Sequence, residues 1–198
     1  HIAAAQSSPE ICRTLLQAGA QVDAKDSENV TPLDYAILSD PCSTKLPEIV
    51  DLFLENGANV TERAKDRTTP LHFAVANGCI LVVEPLLARG ARIDVISKKG
   101  APLHLAAFWG DSNKIRFLCE RGANPNVSNQ DGATPLPVAS ENGEWGSVRT
   151  LLEEGAGPNI KNKEGKTPRE VAAPIVQGSF RWPDQNETHE PDNERLSQ

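Results

Sequence analysis

Two punctuation marks recur along this sequence on one beat, and they constrain its fold more than any other feature. Prolines preceded by Thr or Ala fall at Pro32, Pro70, Pro102, Pro135 and Pro168, at intervals of 38, 32, 33 and 33 residues. Glycines shortly after an apolar pair fall at Gly19, Gly57, Gly90, Gly122 and Gly155, at intervals of 38, 33, 32 and 33. Two independent markers with a common period signal a stack of similar units, each too small to bury its apolar side alone.

The residues of one unit say what it folds into. In Thr69-Pro70-Leu71-His72-Phe73-Ala74, the threonine hydroxyl can cap a helix while proline takes the first helical position, where no N–H is needed. Leu71, Ala74 and Val75 then share one helical face. Asn77-Gly78 breaks that helix, and an apolar second helix follows through Leu81, Val82, Leu86 and Leu87. Gly90 suits a left-handed stop. The polar stretch beyond it forms the extended connection to the next unit.

These blocks resemble the ankyrin repeat. The resemblance rests on Thr31-Pro32-Leu33-Asp34-Tyr35-Ala36, Thr69 to Ala74, Ala101-Pro102-Leu103-His104-Leu105-Ala106-Ala107, Thr134-Pro135-Leu136 and Thr167-Pro168. Companion blocks end the second helices, as in Leu15-Leu16-Gln17-Ala18-Gly19-Ala20 and Leu86-Leu87-Ala88-Arg89-Gly90-Ala91. The resemblance implies an all-α solenoid of helix-turn-helix units joined by short β-turn or hairpin connections. About four full repeats are expected, with partial units at both ends. The units are about 1–25 (partial), 26–63, 64–95, 96–128, 129–161 and a partial cap at 162–173.

Three stretches depart from the beat. The 38-residue interval carries an insertion around Ser39 to Pro47, expected as a loop between paired helices. Residues 174–198 read as an acidic polar tail in which Phe180 and Trp182 are candidates for docking on the last helix pair. His1-Ile2-Ala3-Ala4 matches the interior of a first helix and the chain has no methionine, so it reads as a fragment of a larger protein.

Composition narrows the function classes. The net charge of -7 and the lack of a long basic run argue against nucleic acid, which demands a concentrated cationic surface. No run approaches the 18 or so apolar residues of a membrane span. Cys12, Cys42, Cys79 and Cys119 are too widely spaced for a zinc cluster or a dense disulfide framework. They read as free thiols in a reducing compartment, the cytoplasm, with the nucleus as the alternative.

Chemistry is not expected. His72 and His104 lie one repeat apart, and in the family the equivalent imidazoles hydrogen-bond between neighbouring backbones. No phosphate loop, nucleophile elbow or metalloprotease helix occurs, and Glu153-Glu154 reads as a solvated helix end. The expectation is therefore no enzyme, no metal and no cofactor.

The resemblance implies instead a concave groove built from first helices and turn tips, which binds a protein or peptide. Its helical positions here include Leu38, Ala76 and Asn77, Phe108 and Trp109, and Glu141 and Asn142. Its tips carry Lys65, Asp66 and Arg67, then Lys98 and Lys99, then Asp131. Phe108-Trp109 stands out as an anchor, because aromatic side chains are enriched at interface hot spots. Trp145, at the start of a second helix, is expected in the core. The reading is a monomeric interaction module. The alternatives are a regulatory or inhibitory subunit, or the substrate-recruiting part of an enzyme whose catalytic part lies elsewhere.

Overall fold

The computed structural model describes residues 1–40 and 43–172. Within them the chain is an all-α solenoid without strands, and its one isolated bridge joins Ser97 and Gly100. First helices are α1 (Ile2–Ala5), α3 (Pro32–Ser39), α5 (Pro70–Asn77), α7 (Pro102–Phe108), α9 (Pro135–Glu141) and α11 (Pro168–Ala172). Second helices are α2 (Pro9–Gln17), α4 (Leu46–Glu55), α6 (Ile80–Ala88), α8 (Ser112–Glu120) and α10 (Trp145–Glu153). Every first helix from α3 onward starts on the recurring proline. The second-helix stops are glycines in the left-handed region, such as Gly90 at φ 91°.

First helices pack in a row, α1 on α3, α3 on α5, α5 on α7, α7 on α9 and α9 on α11. Second helices back them, with α2 on α4, α4 on α6 and α8 on α10. One continuous apolar seam results, in which Leu33, Leu71, Leu103 and Leu136 occupy the same place in successive units and are all buried. Each such side chain contributes about 1.5–3 kcal/mol through burial. Trp145 is half-buried against that core. Cys12 and Cys119 are free thiols, and the buried Cys79 points its Sγ at the Ile37 carbonyl at 3.6 Å; Cys42 lies outside the described residues, as do Phe180 and Trp182.

Two details differ from the sequence reading. Pro47 is not in the inserted loop but in the first turn of α4, where its missing N–H costs nothing. Leu81, an apolar position of α6, points outward at 72% exposure. Its face of the second helix carries polar or small residues in other units, such as Asn113 and Gly146.

Buried imidazoles fix the register between units. The Thr69 N–H donates to His72 Nδ1 at 3.2 Å, so the ring proton sits on Nε2, which donates to the Gly100 carbonyl of the next unit at 3.0 Å. His104 repeats the arrangement, accepting from the Ala101 N–H at 3.1 Å and reaching the Ala133 carbonyl at 3.0 Å. His1 Nε2 meets the Val30 carbonyl at 3.0 Å in the same way. Gly100 is glycine for two reasons: a Cβ there would lie 2.8 Å from the His104 ring, and its φ is 97°.

Two of the units that are followed by a further described unit lack this tie. At the equivalent place in α9 stands Pro137, which offers neither an imidazole nor an N–H, and the buried Thr134 hydroxyl is left without a partner. In α3 the place is taken by Asp34. One carboxylate oxygen accepts from the Thr31 N–H at 2.9 Å and hydroxyl at 2.8 Å, while the other, Oδ1, is buried and unpartnered. Burial pushes the Asp34 carboxyl up to about 6, against the Thr31 hydrogen bonds that pull it down, and the Glu62 and Asp23 charges push the same way as burial. Its value is then above that of the unfolded chain. Asp34 thus favours the fold most below about pH 4, and that contribution is lost as pH rises through about 6. At neutral pH the buried charge costs on the order of 1–3 kcal/mol. Asp34→Asn is therefore expected to gain stability relative to the wild type as pH rises from 4 to 7. Urea titrations of both proteins across that range measure the difference, and a constant difference would contradict the account.

Candidate functional site

The tips of the connections project beside the first helices and are tied to one another through the backbone. The Lys65 N–H donates to the Glu28 carbonyl at 3.0 Å, Lys98 N–H to the Asp66 carbonyl at 2.9 Å and Lys163 N–H to the Asp131 carbonyl at 3.3 Å. Three tips are also braced internally. Asp26, Asn129 and Asn162 each accept two backbone N–H groups of their own turn through one side-chain oxygen, a local hydrogen-bond pattern for which Asx residues are selected.

The tip of residues 64–68 is built differently. Ala64 stands where those three have Asp or Asn, and Asp66 supplies a single bond, to the Thr68 N–H at 2.9 Å. Arg67 sits at φ 67°, in the left-handed region, where the corresponding residues are Asn29, Gly132 and Gly165. A Cβ in that region costs roughly 1–2 kcal/mol. Strain of this kind collects at functional positions.

Between this tip, the next one and the first helices lies a hollow of about 370 Å³. Phe73 of α5, Leu105 of α7 and Val138 of α9 line it, and Ala76 leaves space where a larger side chain would fill it. Phe108 and Trp109 form one wall, edge to face with ring centroids 5.0 Å apart and planes at 90°. They remain 45% and 61% exposed. Asp66, Thr68, Ser97 and Lys99 form the polar border on the tip side. Burial tends to raise the Asp66 carboxyl, but the bonds from Thr68 and the Lys99 charge outweigh it and hold it below the ordinary value.

Of the residues singled out from sequence, Ala76, Asp66, Lys99, Phe108 and Trp109 thus come together around one hollow, and Lys98 is exposed on the same tip as Lys99. Others are elsewhere or already engaged. Leu38 is exposed on α3, two repeats away from the ring pair. Asn77 is half-buried, and its amide donates to the Ile37 and Leu38 carbonyls at 2.9 and 3.1 Å, joining α5 to α3. Glu141 is exposed at the end of α9; Asn142 follows, its amide on the Val138 carbonyl at 2.8 Å. Lys65 pairs with Glu28 at 3.2 Å, and Asp131 is exposed on the tip of residues 129–133. Sequence reasoning missed Phe73, Leu105 and Val138. All three follow the His72, His104 and Pro137 register position by one residue, and that recurrence was the available signal.

His72 and His104 also border the hollow, but their ring nitrogens are committed to backbone partners. Burial lowers both imidazoles, that of His72 to about 4, so they carry no charge at neutral pH. Among the described residues no group of three or more His, Cys, Asp or Glu side chains could hold a metal ion. No helix there is long and apolar enough to cross a membrane. The arrangement offers surface, rings and charges rather than converging reactive groups.

Comparisons with known proteins agree with this geometry. Residues 1–64 and 42–129 match a family model described as ankyrin repeats in three copies, and residues 118–172 match another described as ankyrin repeats in many copies. An ankyrin repeat protein of Pyrobaculum aerophilum is 41% identical over 63 residues, which is 32% of this chain. The match spans 23% of that relative's length.

The strained tip gives a direct test. Arg67→Gly relieves roughly 1–2 kcal/mol of left-handed strain and adds roughly 0.5–1 kcal/mol of unfolded-state entropy. The net expectation is a stabilisation of about 0.5–1 kcal/mol, or a thermal midpoint a few degrees higher. A lower midpoint would contradict the reading of the tip.

Proposed function

This chain belongs to the ankyrin-repeat family, whose repeats generally serve as protein–protein interaction modules without catalytic activity, and we propose that it holds a protein partner on the face formed by its first helices and tips. The observation that carries this reading is the Phe108-Trp109 pair. In a chain with only 5% aromatic residues, two adjacent rings are left in water beside an open hollow. Exposed apolar surface of that kind is costly unless a partner covers it, and tryptophan anchors are enriched where partners bind. The ring pair adds little to folding, because its surface is largely outside the seam of buried residues.

The partner surface proposed from this reading centres on Phe108, Trp109 and Ala76, with Asp66, Lys98 and Lys99 at the border. Asn77, Leu38, Glu141, Asn142, Lys65 and Asp131 belong to its flanks, and Asn77 serves the fold as well. The wide spacing of the cysteines and the family suit a reducing compartment, the cytoplasm or nucleus, and a monomeric module.

Replacing both rings, Phe108→Ala with Trp109→Ala, tests the proposal. Truncating interface anchors costs about 2 kcal/mol or more, so partners captured by the wild type are expected to be lost by at least about tenfold. The circular-dichroism spectrum should stay unchanged. Mass spectrometry of proteins retained by the two immobilised chains measures this. An identical set on both would overturn the inner-face assignment.

A further inference from the structure

The hollow beside the ring pair has a chemistry of its own. Its floor of Phe73, Leu105 and Val138 is apolar, and its size lies at the low end of the roughly 300–1,000 Å³ usual for ligand clefts. That suits one large side chain better than a whole small folded element. The polar border holds Lys99 and Asp66, and Arg67 and Lys98 are exposed on the same two tips. Arg67, Lys98 and Lys99 cluster on two adjoining tips and, among the described residues, form no ion pair within salt-bridge distance. Three cations on other tips and connections are paired, Lys25 with Glu62, Lys65 with Glu28 and Lys166 with Glu164. The opposing charge on this border, Asp66, is itself engaged with the Thr68 N–H at 2.9 Å. Arg67 is also the residue held in left-handed strain where glycine or asparagine stands in comparable tips.

We infer that the hollow receives one aromatic or leucine-sized side chain from an extended segment of a partner protein, and that Arg67, Lys98 and Lys99 receive carboxylates from the residues beside it. In an extended segment successive side chains point to opposite sides. One can therefore enter the hollow while its neighbours reach the border, as in other modes of peptide recognition where alternate side chains fill pockets. Opposite charge at the border steers the encounter and sets the register, and the apolar anchor supplies the affinity. This rests on the inner-face reading and narrows it to a ligand class.

Random peptides displayed on phage and selected against the full chain test the inference. The enriched sequences are expected to share a Trp, Phe or Leu with Asp or Glu within two positions. Synthetic copies of them, measured by fluorescence anisotropy, should bind Ala76→Trp about tenfold more weakly, because the new ring fills the hollow from an exposed position. Arg67→Gly should weaken them several-fold at low salt while leaving the fold intact, and added salt should shrink that difference. Enriched peptides that bind Ala76→Trp as well as the wild type would overturn the assignment, as would a basic or featureless pool, or none at all. Tighter binding by Trp182→Ala would assign the hollow to the chain's own C-terminal segment and equally overturn it. Peptides that ignore Ala76→Trp yet are lost with Trp109→Ala would sink this inference alone. Peptides indifferent to both would sink the inner-face reading with it.

Discussion

A neutral imidazole, shut away from water between two units, is the interaction on which the rest of this structure depends. Each helix pair has an apolar side that only its neighbours can cover, and apolar contact alone would let one pair slide on the next. The ring of His72 removes that freedom. It closes the cap of its own helix through Nδ1 and takes hold of the Gly100 carbonyl of the next unit through Nε2. Because both ring nitrogens are used, charging the ring would break one bond and bury a cation, so burial keeps it neutral. The tips follow the helices into register, and the hollow between two tips and three first helices exists only because that register holds.

The ties are not uniform along the stack, and their absence has local consequences. Pro137 leaves the Thr134 hydroxyl unanswered, and Asp34 leaves one carboxylate oxygen unanswered. The carbonyls in the places that would receive the missing imidazoles, those of Thr68 and Lys166, accept the N–H groups of their own turns, from Ala64 and Asn162. The intact ties of His72 and His104 flank α7, which bears Phe108 and Trp109. The rings are thus displayed from the most firmly registered part of the array, as a binding surface benefits from rigid support. The tip of residues 64–68 lies at the border of that surface with the fewest internal bonds and a strained arginine.

Much of this was legible in the sequence, for physical reasons. Proline at a helix start and glycine at a helix stop are demanded by the backbone, so their spacing reported the units directly. The structural role of His72 and His104 followed from their separation by one repeat. Other features depend on three dimensions. Leu81 is as apolar as Val82 beside it, yet one faces water and the other the core, and in such a short helix only the neighbouring units decide which. Lys65 and Lys98 look alike as tip lysines, but a glutamate on the adjacent tip reaches only the first. Arg67 reads as an ordinary charged turn residue until its φ is known. The hollow itself is an absence of atoms above Ala76, and no single residue announces it.

The state of the His72 ring tests the central claim most directly, and nitrogen-15 NMR of the imidazoles through an acid titration reads it. The account predicts a neutral ring carrying its proton on Nε2, unchanged through pH 5 and titrating only near 4. Since that value lies below the unfolded one of about 6.5, His72 contributes stability above pH 6.5 that is lost as pH falls toward 4. A ring with its proton on Nδ1, or one that titrates freely near 6.5, would mean that adjoining units are not joined through this bond.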